Sequence, residues 1–215
     1  MKKAAFVSGL MTFFFIVAIM GFAQDKHEEK KDKIVSYGHI ALQKIAGKKL
    51  YFLKKCNDCH TLAAAAEGKR TPIKKMREPE WFDAHLKEKS EIVLRQEKNR
   101  RKRRRVFREE KQALQAFLFA ATPEERKQID AMPENVFAGA YLAYQNRCLR
   151  CHSIAGVGKD IGPDLSKVGN KHTKEWFIKN FINPKQFAPD TQMPSFADLP
   201  RADLEKIADY LLTLK

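Results

Sequence analysis

The sequence predicts an all-α protein built as two tandem helical halves, and three observations carry that expectation. The five residues Cys56-Asn57-Asp58-Cys59-His60 recur in kind as Cys148-Leu149-Arg150-Cys151-His152. A glycine falls nine residues before the first cysteine of each copy (Gly47, Gly139), and an aromatic residue four before it (Phe52, Tyr144). Apolar residues follow at helical spacing, Leu204, Ile207, Tyr210 and Leu211 in one half and Leu114, Phe117 and Leu118 in the other. Together these describe an internal repeat. A helical glycine costs about 1 kcal/mol relative to alanine, so its presence twice at one offset points to a second helix passing close by.

The repeated motif carries the chemistry. Two thiols three positions apart, followed at once by an imidazole, form the C-x-x-C-H arrangement that attaches haem covalently. Each thiol adds to one vinyl group, and the histidine lies under the ring where its neutral imidazole can ligate iron. Three other readings compete. Zinc sites pair C-x-x-C motifs roughly 15 to 20 residues apart, whereas Cys56 and Cys148 are 92 apart. Zinc is also indifferent to a histidine directly after the second cysteine in both copies; structural disulfides and a redox-active pair are the third and fourth options. The haem reading uses all four cysteines. It gives two covalently bound haem c groups, attached through Cys56, Cys59 and His60 and through Cys148, Cys151 and His152.

Chain length and charge bound the rest. The 215 residues suit two small domains. Domains of that size have marginal cores, which an apolar macrocycle would complete. The formal charge of +15 attracts acidic proteins, anionic lipid or nucleic acid. Met1-Lys2-Lys3 followed by the uncharged residues 4–23, with Ala23 at a cleavage site, reads as a signal peptide or membrane anchor over 1–23. Either places the haem domains in the periplasm, free or anchored to the inner membrane.

Residues 24–43 read as a polar tether passing into helix from Ile34, 44–121 as the first haem domain, 122–134 as a linker and 135–215 as the second. After each histidine comes a loop with a proline, Pro72 and Pro163. These loops are placed to supply the carbonyl that an imidazole ligand usually hydrogen-bonds. A helix then opens at Glu80-Trp81-Phe82 and at Glu175-Trp176-Phe177, with both tryptophans expected in the core. In the second half Met193 sits on a loop stiffened by Pro184, Pro189 and Pro194, and reads as an axial ligand. The first half has no glycine or proline from Glu80 to Ala121 and continues as a long charged helix over 84–120. His39 and His172 carry no motif and are expected to be structural or surface groups.

At these residues the chain resembles class I cytochromes c in a tandem, two-haem form. In the second half Gly139, Tyr144, Cys148 to His152, Gly162-Pro163-Asp164-Leu165, Asn183-Pro184, Pro189 to Met193 and Ile207 to Leu211 stand in family order and spacing. The resemblance implies that the first and last helices cross at Gly139 and Tyr210, that the Pro163 carbonyl orients His152, and that Met193 is the sixth ligand. It covers residues 135–215 well and 44–121 only in their proximal part. The chain is also similar to cytochrome c subunits of nitric oxide reductases and haem-copper oxidases. Aligned on Glu-Trp-Phe, His85 falls opposite Asn180, a distal-face position in the family, and Lys98 opposite Met193. His85 is therefore a candidate sixth ligand of the first haem, ahead of Lys98, which would have to lose a proton. Met76 belongs to the proximal loop.

From Arg95 to Arg108 nine basic residues face Glu97 alone. They form a solvated helix surface or a docking face for an acidic redox partner or anionic lipid. Export removes nucleic acid as a partner. The expected function is electron transfer between a respiratory donor and a terminal oxidase or reductase, without catalysis. The alternatives are a fixed subunit of a membrane respiratory complex and a haem enzyme with an open first iron.

Overall fold

The computed structural model describes residues 35–73, 78–89 and 98–215. Among these, seven α-helices and two two-residue strand pairs make an all-α fold: α1 (Leu42–Leu53), α2 (Pro79–Lys89), α3 (Arg100–Phe119), α4 (Pro123–Asp130), α5 (Glu134–Gln145), α6 (Lys174–Ile182) and α7 (Arg201–Leu212). Strand β1 (His60–Thr61) pairs in parallel with β2 (Thr71–Pro72), and β3 (Ser153–Ile154) pairs antiparallel with β4 (Val157–Gly158).

Two helix crossings organise the core. α1 buries Leu42, Ile45, Ala46, Leu50 and Tyr51 against Ala113, Leu114, Phe117 and Leu118 of α3. α5 buries Val136, Ala140 and Ala143 against Leu204, Ile207, Tyr210 and Leu211 of α7. The apolar spacing read from the sequence is the one that packs. Each crossing runs over a glycine. A Cβ on Gly47 would collide with the Ala113 carbonyl oxygen and stand 2.6 Å from the Phe117 Cβ, and one on Gly139 would collide with the carbonyl oxygen of Lys206. Contact this close is available only to glycine.

The helix starts have local causes. Asn99 caps α3 by accepting from the Lys102 N–H at 3.0 Å, and Thr173 caps α6 by accepting from Trp176 at 3.3 Å. α4 opens with a full capping box, Thr122 with Glu125, and Pro123 in its first turn. The expected linker over 122–134 is therefore largely helix. It is strapped to α1 by Lys44–Glu125 and Lys48–Asp130, both at 2.7 Å.

The helix expected from Ile34 begins only at Leu42. The preceding residues are spent on burial instead: Tyr37 and Ile40 are buried, the Tyr37 N–H donates to the Thr213 carbonyl at 3.1 Å, and the Ser36 hydroxyl donates to the Lys215 carbonyl at 2.6 Å. A strap before the first half thus closes on the last helix of the second. α1 also packs along α5. The helix expected over 84–120 is observed as α2 and α3; residues 90–97 between them, and Met76, lie outside the described residues.

Candidate functional site

Both α1 and α5 end in the same way. The residue before each first cysteine is left-handed although it is not glycine, Lys55 at φ 55° and Arg147 at φ 60°. Left-handed backbone costs an ordinary residue roughly 1–2 kcal/mol, and such strain concentrates at functional positions. A single 3₁₀ turn follows in each copy, Cys56–Asp58 and Cys148–Arg150, and leads to His60 at the start of β1 and to His152 just before β3. None of the four cysteines is bridged to another, and no three His, Cys, Asp or Glu side chains converge among the described residues.

In the second half His152 is held on two sides. Its Nδ1–H donates to the Pro163 carbonyl oxygen at 2.8 Å, so that in the neutral imidazole the lone pair is on Nε2. Gly162 lies flat against the ring; a Cβ there would stand 2.7 Å from Cε1. Met193 approaches from the proline-rich loop, its N–H donating to Thr191 Oγ1 at 3.2 Å and its Sδ accepting from Asn180 Nδ2 on α6 at 3.6 Å. Cys148, Cys151, His152 and Met193 line one cavity of about 850 Å³, whose walls include Ile154, Leu165, Phe177, Phe181, Leu204 and Ile207. Burial pushes the Cys148 thiol up to about 12.

Residues 136–215 match the cytochrome c family model. They form a cytochrome c domain, and that family implies a covalently bound haem c. The donor set fits the group: two thiols and an imidazole at attachment spacing, a thioether steered by an amide, and an apolar cavity between them. The chain is 29% identical to cytochrome c 2.1 of Caenorhabditis elegans over 34% of its own length and 82% of the relative's. It is 24% identical to cytochrome c oxidase subunit 2 of Alkalihalophilus pseudofirmus over 42% of its length, and spans about a third (32%) of that subunit. No solved structure matches.

The cytochrome c domain also shows what surrounds its cavity. Trp176, expected in the core, forms part of the wall, with His172 stacked on it at 3.5 Å and Phe187 at 5.1 Å. Burial, helped by Lys171, holds the His172 pKa below its usual range. The Tyr210 phenol is fully buried, which raises its pKa well above the ordinary value.

The first half repeats the attachment geometry and differs beyond it. His60 Nδ1 meets the hydroxyl of Thr71 at 3.3 Å, not a proline carbonyl. Thr71 stands eleven residues after His60, as Pro163 does after His152; Pro72 is one residue too far and pairs with Thr61 across β1 and β2 instead. That one-residue offset was the signal available in the sequence. The Tyr51 hydroxyl donates to the His60 carbonyl at 2.7 Å and fixes the strand. Trp81, expected in the core, is 43% exposed and lies parallel to His85 at 4.8 Å. The His60 and His85 rings are 6.0 Å apart, centre to centre. Lys98 is exposed. Phe52, Leu53 and Leu62 are exposed apolar residues around the motif, a surface that an apolar macrocycle would cover.

His39 is a structural group, its Nε2 2.8 Å from Gln128 Oε1 on α4. Of the basic run, Arg95 lies outside the described residues, while Lys98, Arg100, Arg101, Lys102, Arg103, Arg104 and Arg108 are exposed along the start of α3.

Proposed function

We propose that this chain is an exported dihaem c-type cytochrome. It passes electrons from a respiratory donor, such as a quinol-oxidising complex, to an acceptor such as a terminal oxidase or reductase. The observation that carries the reading is that His152 and Met193 line one apolar cavity, each steered by its own hydrogen bond. His152 and Met193 would hold a bound haem between them, and its iron would then offer no site to a substrate. Bound haem supplies a reversible one-electron couple, whose potential a methionine ligand raises. The chain's own work is to anchor the ring through Cys148 and Cys151, to orient His152 and Met193, and to exclude water. The second haem is supported by the recurrence around Cys56, Cys59 and His60 of the left-handed residue, the 3₁₀ turn and the partner eleven residues on.

The exposed cations of Lys98–Arg108 serve as the docking face for an acidic redox partner or for anionic lipid. Residues 1–23, outside the described part, would carry the chain to the periplasm. No described helix is long and apolar enough to cross a membrane. A second reading, a fixed subunit of a membrane respiratory complex, is favoured by the similarity to an oxidase subunit. Intact mass of the secreted protein tests the central claim: two added haems are expected, and none would end it. Partner reduction should slow steeply between low and high salt. A rate independent of salt would remove electrostatic docking, and co-purification with an oxidase would select the subunit reading.

A further inference from the structure

Resting on the two-haem reading, we propose that His85 is the second axial ligand of the first haem, opposite His60, and that Trp81 positions it. Two imidazoles on opposite sides of one ion, each at a metal–nitrogen distance of about 2.0 Å, place their ring centres about 6.4 Å apart once the ring radii are added. His60 and His85 stand at 6.0 Å with planes at 69°. Rotation about the two metal–nitrogen bonds accommodates such an angle between planes.

The position of His85 is set by a docked helix, not by a loop. Phe82 and Leu86 of α2 are buried, Phe82 meets Phe119 edge-on at 5.9 Å, and Asp83 pairs with Lys111 at 2.8 Å. These contacts hold α2 on α3 and bring His85, which shares a helix stripe with Trp81 at i and i+4, to His60. Trp81 lies parallel to the imidazole with only 9° between planes, so it limits ring rotation. Helix-mounted groups braced in this way hold geometry more tightly than loop-mounted ones. Among the described residues of the first half there is no methionine, and the histidine takes the role that Met193 has in the second.

The consequence is a closed first iron with two imidazole ligands and, lacking methionine, the lower potential of the pair. Electrons then run from the first haem to the second. On this assignment the first iron would have no open position for a substrate.

Electron paramagnetic resonance and carbon monoxide binding on the full-length, doubly haem-loaded protein test the assignment. In the wild type both irons should be low-spin and neither should bind carbon monoxide; in His85→Ala one iron should become high-spin and bind it, with added imidazole restoring the low-spin signal. Trp81→Ala should give a partial high-spin fraction that imidazole also removes. Two haems by mass with one high-spin iron in the wild type would overturn the ligand assignment alone. So would two haems with spectra that His85→Ala leaves unchanged. A single haem by mass would overturn both the assignment and the two-haem reading beneath it.

Discussion

Lys54 and Glu110 form an ion pair at 2.6 Å where the two halves meet, with side chains only 4% and 12% exposed. Lys54 directly follows α1, two residues before Cys56, and Glu110 lies on α3. On the neighbouring α5, burial pushes the phenols up, Tyr141 to about 12 and Tyr144 further, and the charge of Glu110 adds to both shifts. The pair thus lies between the approach to Cys56 and the helix that leads into Cys148. Arg147, just before Cys148, adds a second tie to α3 through Glu109 at 3.3 Å.

Removing one partner of such a pair strands the other. Glu110→Gln should destabilise the protein by about 3 kcal/mol, because an uncompensated buried charge costs roughly 3–5 kcal/mol. The double variant Lys54→Met with Glu110→Leu should recover most of that loss, since well-packed apolar replacements of buried pairs are often neutral. Denaturant unfolding of the three proteins checks this.

On the proposed dihaem reading, Met193→Ala should leave the haem at Cys148 and Cys151 attached but lower its potential, since a thioether ligand would be what raises it. Asn180→Leu should have a smaller effect of the same sign. It removes one hydrogen bond to sulfur, worth at most about 1 kcal/mol, and frees the thioether to turn away. Potentiometric titration should show the second haem moving in both variants while the first stays put.

The helix crossings set two opposed effects against each other. Gly139→Ala gains about 1 kcal/mol of helix propensity but drives a methyl group into the Lys206 carbonyl. Overpacking typically costs about 1–3 kcal/mol, and here the obstacle is backbone that cannot rotate away. A net loss of roughly 1–2 kcal/mol is expected, and Gly47→Ala should behave alike through Ala113. An unfolding midpoint at or above wild type would contradict the crossing.

The strap formed by α4 makes stability depend on acid. Partial burial works against the charge of Glu125, but hydrogen bonds from Lys44 and Thr122 outweigh it and hold the pKa below its ordinary 4.5. A carboxyl depressed on folding contributes its stabilisation above the unfolded pKa and loses it as the pH falls through the folded one. Glu125→Gln should therefore flatten the loss of stability below about pH 4.5 while lowering stability at neutral pH. Unfolding measured across that window checks the sign.

Much of the site was legible because it is local. The attachment motif, the glycine nine residues upstream and the proline eleven residues after His152 are short-range patterns with a single mechanical use each. The capping box Thr122–Glu125 was equally local, and it announced a helix within what reads as a linker. Thr71 was hidden by the prominence of Pro72, although counting from the histidine favours the threonine. Trp81 and Trp176 carry the same tripeptide context and end in different surroundings, because Trp176 is flanked by His172 and Phe187 whereas Trp81 lies exposed against His85.

The sequence alone determined two attachment motifs, the all-helical class and the apolar faces that form the crossings, because each follows from residue spacing along one segment. Only tertiary structure decided which groups face each other: His60 with His85, Met193 with Asn180, Lys54 with Glu110, and Tyr37 with the last helix. Such pairings depend on the angles at which helices dock. Those angles are set by the sum of many weak contacts across the core, which no single segment encodes.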